Sequence, residues 1–472
     1  MEIVNRIFKI KERGSNISTE IRGGLATFFA MSYIVVLNPL IVSGKDSTGA
    51  MLGDNRVAAM TALVAGILTI LMGTVANAPM GLATGLGINA LIAVTVKTLP
   101  GATWPDIMGL VVIEGVIMLI LVLTGFRRAI FAAVPQELRT SVAAGIGLFI
   151  VLIAMADSHF VSQGDGVPLT LGTKGVLRGL PLIVFGVGIL LTFILFAKKV
   201  KGNVLISIII CTLFAFGLQA LAPMGLSATS ENGIGWALSI PTIPQSIVSI
   251  PDLSLFGQFN IFHAWTVLSP ITITMLIFSI LLTAFFDGMG SMYAISKEAN
   301  LVDKDGNPIA SKRIFIVDSL GSISGGVCSI SPNTIFIESS TGIAEGAKTG
   351  LSAVVTGLCF LLTTFLTPLI TSVPMEAVAP ALVFVGFLMI KEMSKLNWTS
   401  LDTAIPAFLI IISIPFTYSI TNGIGMGFIS YVILKLVEKK GKTVHPLLWI
   451  VSAVFLIYFL QVPFIQLLTA IF

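Results

Sequence analysis

The chain has 472 residues, of which 55% are hydrophobic and only 11% charged, and its mean hydropathy is +1.00. Soluble domains carry roughly a quarter charged residues, so this composition excludes a soluble enzyme and points to a polytopic membrane protein built from helices of about 20 apolar residues. The net charge of +4 matters less than where the 27 basic residues sit, and nucleic-acid binding has no support.

The first 22 residues are polar and charged, without an apolar core or a small-residue cleavage site, so the expectation is a cytoplasmic N-terminus and insertion directed by the first span. Seven apolar stretches follow at 23–43, 57–76, 81–96, 107–125, 141–156, 179–197 and 204–221. A connection over 223–266, expected to be extracellular, separates them from seven more at 267–295, 314–330, 334–347, 351–371, 377–390, 403–420 and 423–437. A final apolar run, 447–472, lies in a C-terminal extension over 439–472; it is long enough to span, and the sequence leaves open whether it does. With fourteen spans and the N-terminus inside, 22 of the 27 Lys and Arg residues fall on the cytoplasmic side. This agrees with the positive-inside rule and with insertion in the plasma membrane.

Trp104, Trp265 and Trp449 fall at span edges and read as interfacial anchors. Cys211, Cys328 and Cys359 lie in apolar stretches without ligand-like spacing, so they read as small hydrophobes, and no metal or cofactor is expected. His159, His263 and His445 fall in loops or at span ends, which leaves no histidine relay across the membrane.

Three local matches recur in the same order in the two halves. Thr27-Phe28-Phe29-Ala30 matches Ala284-Phe285-Phe286-Asp287, Gly73 with Pro79 matches Gly326 with Pro332, and Val142-Ala143-Ala144 matches Val378-Ala379-Pro380. Collinear matches between odd-numbered sets of spans predict two inverted seven-span repeats, 23–222 and 267–438. The third span, Pro79 to Asn89, is short and Gly-rich, and the tenth, Pro332 to Gly342, is short and polar. Each reads as an extended stretch followed by a half helix, beginning near Leu86 and Ser339. Unpaired backbone survives at membrane depth only where protein or a hydrated cavity covers it. Matched broken segments therefore point to a transporter site near the midplane.

Four carboxylates fall within spans, and each costs roughly 2.5–3.5 kcal/mol on insertion scales if central and charged. Asp287 sits among glycines in the eighth span, and Glu338 sits at the tenth-span break; both read as functional. Asp318, in the ninth span, reads either as a proton-coupling group or as a structural partner of the eighth or tenth span, and Glu114, in the fourth, as a structural group. Asn89 offers a donor and an acceptor that suit a heterocycle edge, with a helix–helix hydrogen bond as the alternative. If protons are coupled to transport, Asp287 and Glu338 are the candidates to carry them.

These residues resemble the nucleobase:cation symporter superfamily, in its AzgA-like branch of adenine, guanine and hypoxanthine permeases, over nearly the whole chain. The resemblance rests on Thr27 to Pro39 (TFFAMSYIVVLNP), Gly85-Leu86-Gly87-Ile88-Asn89-Ala90, Ala284 to Gly290 (AFFDGMG), and Ser331 to Gly342 (SPNTIFIESSTG). It implies an all-helical membrane protein of fourteen spans in two inverted repeats. The core domain would comprise spans 1–4 and 8–11, the gate domain spans 5–7 and 12–14, and a purine would lie between them. It further implies that Asp287 and Glu338 hydrogen-bond the base, that Asn89 is the polar residue of the third span, and that backbone amides near Gly85–Gly87 and Ile337–Ser339 complete the site. Uracil and xanthine relatives carry Glu with a nearby His in the eighth span, whereas here Asp287 is followed by Ser291, so their proton route does not transfer.

The resulting expectation is a transporter that imports hypoxanthine, guanine or adenine by proton symport with alternating access. In it Glu338 and Asn89 read the base, Ser339 lies beside them, Asp287 is the leading protonation site, and one of Phe285, Phe286 or Phe336 stacks on the ring. Na⁺ as coupling ion and a homodimer are left open. Two rivals remain. An anion transporter of the same fold would want a cationic centre, and an aspartyl-type intramembrane enzyme would pair Asp287 with Asp318. The second lacks the GxGD order, and no HExxH motif exists.

Overall fold

In a bilayer the backbone has no water to bond, so apolar runs become helices that satisfy their own N–H and C=O groups. The computed structural model describes residues 2–471 apart from 43, 126–133, 165, 173–174, 201, 228–233, 238, 245 and 305–307, with the side chains of 2–4, 286, 294, 392 and 461–471 also outside the description. Among the described residues, nine helices are long and apolar enough to cross a membrane, and shorter apolar helices accompany them.

In chain order the first half contains α1 (Glu2–Phe8), α2 (Ile17–Met31), α3 (Ile34–Val42), α4 (Asp54–Leu71), strand β1 (Leu82–Thr84), α5 (Leu86–Thr98), α6 (Trp104–Leu123), α7 (Gln136–Asp157), α8 (Pro181–Ala197) and α9 (Asn203–Leu221). A hairpin of β2 (Val161–Gly164) and β3 (Val167–Leu171) joins α7 to α8 and is absent from the sequence expectation. The second half contains α10 (Ala264–Val267), α11 (Pro270–Glu298), α12 (Ser311–Val327), strand β4 (Asn333–Ile335), α13 (Ser340–Ala344), α14 (Gly350–Thr363), α15 (Thr367–Thr371), α16 (Met375–Lys391), α17 (Leu401–Phe416), α18 (Ile420–Val437) and α19 (Pro446–Ile471). The C-terminal apolar run is thus a helix, and its near end packs on α18 and α11.

Packing divides these helices. On one side α6 lies along α12, and α2 and α4 lie along α14; on the other α7 lies along α16 and α17, with α17 against α18 and α8 against α16 and α9. Small residues set the close approaches. A Cβ built on Gly350 would stand 1.9 Å from the Gly73 carbonyl oxygen, and one on Gly73 would stand 2.3 Å from that of Gly350. Without side chains there, α14 and the turn that follows α4 can touch backbone to backbone.

Three expectations need correction. The first span is not one helix: it breaks at Ser32–Tyr33, between α2 and α3, with no Gly or Pro at the break. Trp104 is not an interfacial anchor, because its indole is buried and donates to the Gly44 carbonyl at 2.9 Å, while Trp265 is exposed as expected. The tenth-span half helix is only a 3₁₀ turn over Ile337–Ser339 followed by the five residues of α13.

The connection between the halves is also tied down. Its Asn260 amide donates to the Pro105 carbonyl at 2.8 Å, His263 Nδ1 lies 2.9 Å from Asp106 Oδ1, and its Ala237 amide donates to Glu376 Oε1 at 2.8 Å. Trp236 is buried there and donates to Gln219 Oε1 at 2.8 Å.

Candidate binding site at the strand crossing

The two broken segments meet. β1 and β4 pair antiparallel, with Leu82 opposite Ile335, Ala83 opposite Thr334 and Thr84 opposite Asn333. The Gly85 amide donates to the Pro332 carbonyl and the Phe336 amide to that of Gly81, each at 3.0 Å, which extends the ladder at both ends. Thr69 Oγ1 accepts from the Leu82 amide at 2.9 Å and donates to its carbonyl at 3.1 Å. Extended backbone deep in the protein thereby finds the partners it needs. Helical structure leaves this crossing at Leu86, where α5 begins as the sequence places it, and at Ile337, where a 3₁₀ turn precedes α13.

Glu338 sits on that turn, half-buried, and its Oε1 accepts the Tyr33 hydroxyl at 2.5 Å. Tyr33 is buried at the break in the first span, and its ring lies 6.5 Å from that of Phe336 at a 49° tilt. Tyr33 belongs to the motif TFFAMSYIVVLNP, in which the sequence alone gives it no role. Its signal is a phenol placed among apolar residues, since a buried tyrosine hydroxyl needs a partner.

Asp287 lies on α11 with its side chain exposed, although Phe285 and Met289 on either side are buried. Its electrostatic neighbours are the carboxylates Asp318 and Glu338. A Cβ built on Gly85 would stand 3.6 Å from Asp287 Oδ2, so the start of α5 faces this carboxylate. Asp318 is buried on α12 against Gly288, where a Cβ would stand 2.7 Å from its Oδ2 and 3.2 Å from Thr334 Oγ1. It therefore adjoins both the eighth and the tenth segments. The glycine after Asp287 is what admits it.

The remaining expected residues divide. Asn89 is fully buried, and its Nδ2 donates to Asn38 Oδ1 at 2.7 Å, while Asn38 Nδ2 donates to Thr61 Oγ1 and to the Ile330 carbonyl. This is the helix–helix bond that the sequence left open beside a ligand contact. Ser339 is also buried; its hydroxyl accepts from the Gly81 amide at 2.9 Å and donates to the Phe336 carbonyl at 2.7 Å, which pins the crossing together. Glu114 is buried on α6. The Phe286 side chain lies outside the described residues, and Phe285 lines a small cavity of about 70 Å³ shared with Phe278, Leu281, Phe428 and Leu448, whose lining is wholly apolar. That cavity cannot read a heterocycle's polar edge. Phe336 lies two residues before Glu338, with its ring beside that of Tyr33.

With this geometry in view, similarity to known proteins is informative. A family model described as a permease family (Xan_ur_permease) matches residues 18–426. The chain is 36% identical over 461 residues to the guanine/hypoxanthine permease PbuG of Bacillus subtilis (strain 168), covering 96% of this chain and 98% of that one. It is 34% identical over 466 residues to the adenine permease AdeP of Escherichia coli (strain K12), covering 98% and 97% respectively. Among solved structures, the transmembrane domain of a cyanobacterium bicarbonate transporter, BicA, superposes with a TM-score of 0.62 at 13% identity, over 86% of this chain and 97% of that one. That likeness is one of fold alone.

Proposed function

Because the chain belongs to this permease family, and is a transporter rather than an enzyme, we propose that it imports purine nucleobases across the plasma membrane by proton symport with alternating access. The observation that carries the reading is the convergence of Glu338, Asp287 and Asp318 around a crossing of two broken membrane segments. A site whose charged groups are acceptors suits a neutral ligand rich in N–H donors. An anion exchanger would want cations there, and the electrostatic neighbours of Asp287 include the carboxylates Asp318 and Glu338 and the phenol of Tyr33.

In this mechanism Glu338 accepts a ring N–H or exocyclic amine, Asp287 takes and releases the coupled proton, and Asp318 tunes it from across Gly288. Phe336 covers one face of the ring. Asn89 and Ser339 act indirectly, by holding α5 and the crossing in place. The chain is arranged as fourteen segments in two inverted repeats, with the N-terminus cytoplasmic. The core, spans 1–4 and 8–11, moves against the gate, spans 5–7 and 12–14. The antiparallel β1–β4 pair and the separate packing of α6 with α12 and of α7 with α16 support that division.

The test is uptake of radiolabelled hypoxanthine, guanine, adenine and uracil into proteoliposomes, with and without an inward proton gradient. Gradient-driven purine uptake that is lost in Asp287→Asn is expected. Absence of purine uptake under either condition overturns the reading.

A further inference from the structure

The C-terminal helix α19 has two distinct faces. Leu448, Ser452 and Phe455, at i, i+4 and i+7, are buried, whereas Ile450, Leu456, Ile457 and Leu460 on the other side are exposed apolar side chains, as a surface turned to lipid requires. The buried face lies against two helices at once. Gly425 of α18 admits it, since a Cβ there would stand 2.6 Å from Phe455 Cδ1 and 2.8 Å from Phe459 Cζ. Phe455, fully buried, then sets its ring edge to face with Phe428 of α18, 6.3 Å between centroids at 87°, and with Phe278 of α11, 5.8 Å at 66°.

In the mechanism proposed above these two helices belong to different bodies, α11 to the core and α18 to the gate. α19 therefore straddles the seam across which they move, and Phe455 touches both sides of it. The apolar cavity of about 70 Å³ lies at the same seam: α11 supplies Phe278, Leu281 and Phe285 to its wall, α18 supplies Phe428, and α19 supplies Leu448 and Val451. Phe285 stands two residues before Asp287 on the same helix.

Protein interiors are close-packed and voids are few, because the lining of a void loses contacts and stability with them. A lining without polar groups also keeps water out. At a seam, such a void gives α11 what close packing denies it elsewhere, which is room to slide, and shear between packed helices is a movement of that small scale. The contact at Phe455 suits such sliding, since apolar burial has no directional bond to break as the surfaces shift.

We propose that α19 is the bearing of the transport movement: fixed to the gate through Gly425 and Phe428, it holds Phe455 against α11 while the core slides past, and the cavity is the space into which α11 moves. The proposal rests on the core-and-gate reading above and adds to it a residue that sets the rate of the movement without touching the base. Phe455 is a positioning residue.

The experiment links α19 to each neighbour in turn, in the full-length chain with Cys211, Cys328 and Cys359 replaced by alanine. Phe278→Cys with Phe455→Cys ties it to the core helix, and Phe428→Cys with Phe455→Cys ties it to the gate helix. Both links are closed with a short bifunctional methanethiosulfonate and opened with dithiothreitol. Closing the core-side link should lower hypoxanthine uptake into proteoliposomes at least roughly tenfold and reversibly, while equilibrium binding of hypoxanthine stays within about threefold. The gate-side link should leave uptake within about threefold of the unlinked protein. Uptake that survives the core-side link, or that the gate-side link arrests, overturns the proposal, as does a core-side arrest in which binding is lost too. Should a cysteine pair fail to fold, judged by its thermal midpoint in detergent, Val451→Phe decides. Filling the cavity should cut the maximal uptake rate roughly tenfold, with apparent affinity within about threefold and the midpoint not lowered; an unchanged rate overturns the proposal. If the unlinked protein takes up no purine, the function proposed above fails and this inference with it. Gradient-driven purine uptake that is indifferent to the core-side link sinks this inference alone.

Discussion

The segment after β1 and the segment after β4 leave the same two-stranded crossing in different ways. After Thr84 the chain enters a 13-residue helix, and its polar residue Asn89 is buried and donates to Asn38. After Ile335 it makes one 3₁₀ turn and a five-residue helix, and its polar residue Glu338 stays half-buried, held on one oxygen by Tyr33. In the function proposed above, the two halves thus share a backbone and divide the chemistry. A polar residue inside a full helix is surrounded by neighbouring helices and becomes packing, whereas one on a short irregular turn keeps an open side.

Four experiments bear on that difference, the largest effect first. Glu338→Gln replaces an all-acceptor group by an amide and should lower purine uptake roughly 100-fold, within the range set by a lost charge-assisted hydrogen bond; residual uptake above half of wild type would contradict the assignment. Gly288→Ala pushes a methyl to within 2.7 Å of Asp318 Oδ2, so the thermal midpoint should fall by the equivalent of about 1–3 kcal/mol of overpacking, and transport with it. An unchanged midpoint and rate would show that Asp318 moves freely.

Asn89→Ala strands Asn38 Oδ1 without its donor and should destabilise the protein by about 1–3 kcal/mol. The apparent affinity for hypoxanthine should stay within about threefold, judged from uptake at several concentrations, since Asn89 makes no contact with ligand in this account. A large affinity loss at normal stability would return Asn89 to the site.

The smallest effect is expected away from the crossing, at Asp46 in the loop joining α3 and α4. Burial there opposes the charged form, but the hydroxyl and amide of Thr48 and the amides of Trp104 and Ala50 outweigh it, so the carboxyl lies below its ordinary value. Its contribution to stability is therefore present above the unfolded carboxylate value of about 3.9 and is lost as pH falls through the lower folded value. Wild type should lose about 1 kcal/mol more stability than Asp46→Asn on acidification from pH 5 to below pH 3, as read from thermal midpoints. Parallel acid profiles would refute this.

Much of this architecture is legible in the sequence because membrane insertion writes it there. Apolar runs gave the helices to within a few residues, and Pro79, Gly81, Gly85 and Pro332 marked the extended stretches because such residues weaken a helix locally. Glu338 stood out because a carboxylate in an apolar run demands a reason. The break at Tyr33 was not legible, since Ser32 and Tyr33 carry no helix-breaking signal, and the partner of the phenol lies 305 residues away. For the same reason Asn89 could not be assigned to Asn38, nor Trp104 to the Gly44 carbonyl: each choice is made by tertiary neighbours.

The claim that one broken segment carries the chemistry and the other the packing is tested most directly by equilibrium binding of radiolabelled hypoxanthine to the purified protein, comparing wild type, Glu338→Gln and Asn89→Ala. Binding lost in Glu338→Gln and retained in Asn89→Ala is the predicted result. Binding retained in Glu338→Gln and lost in a folded Asn89→Ala would contradict the account.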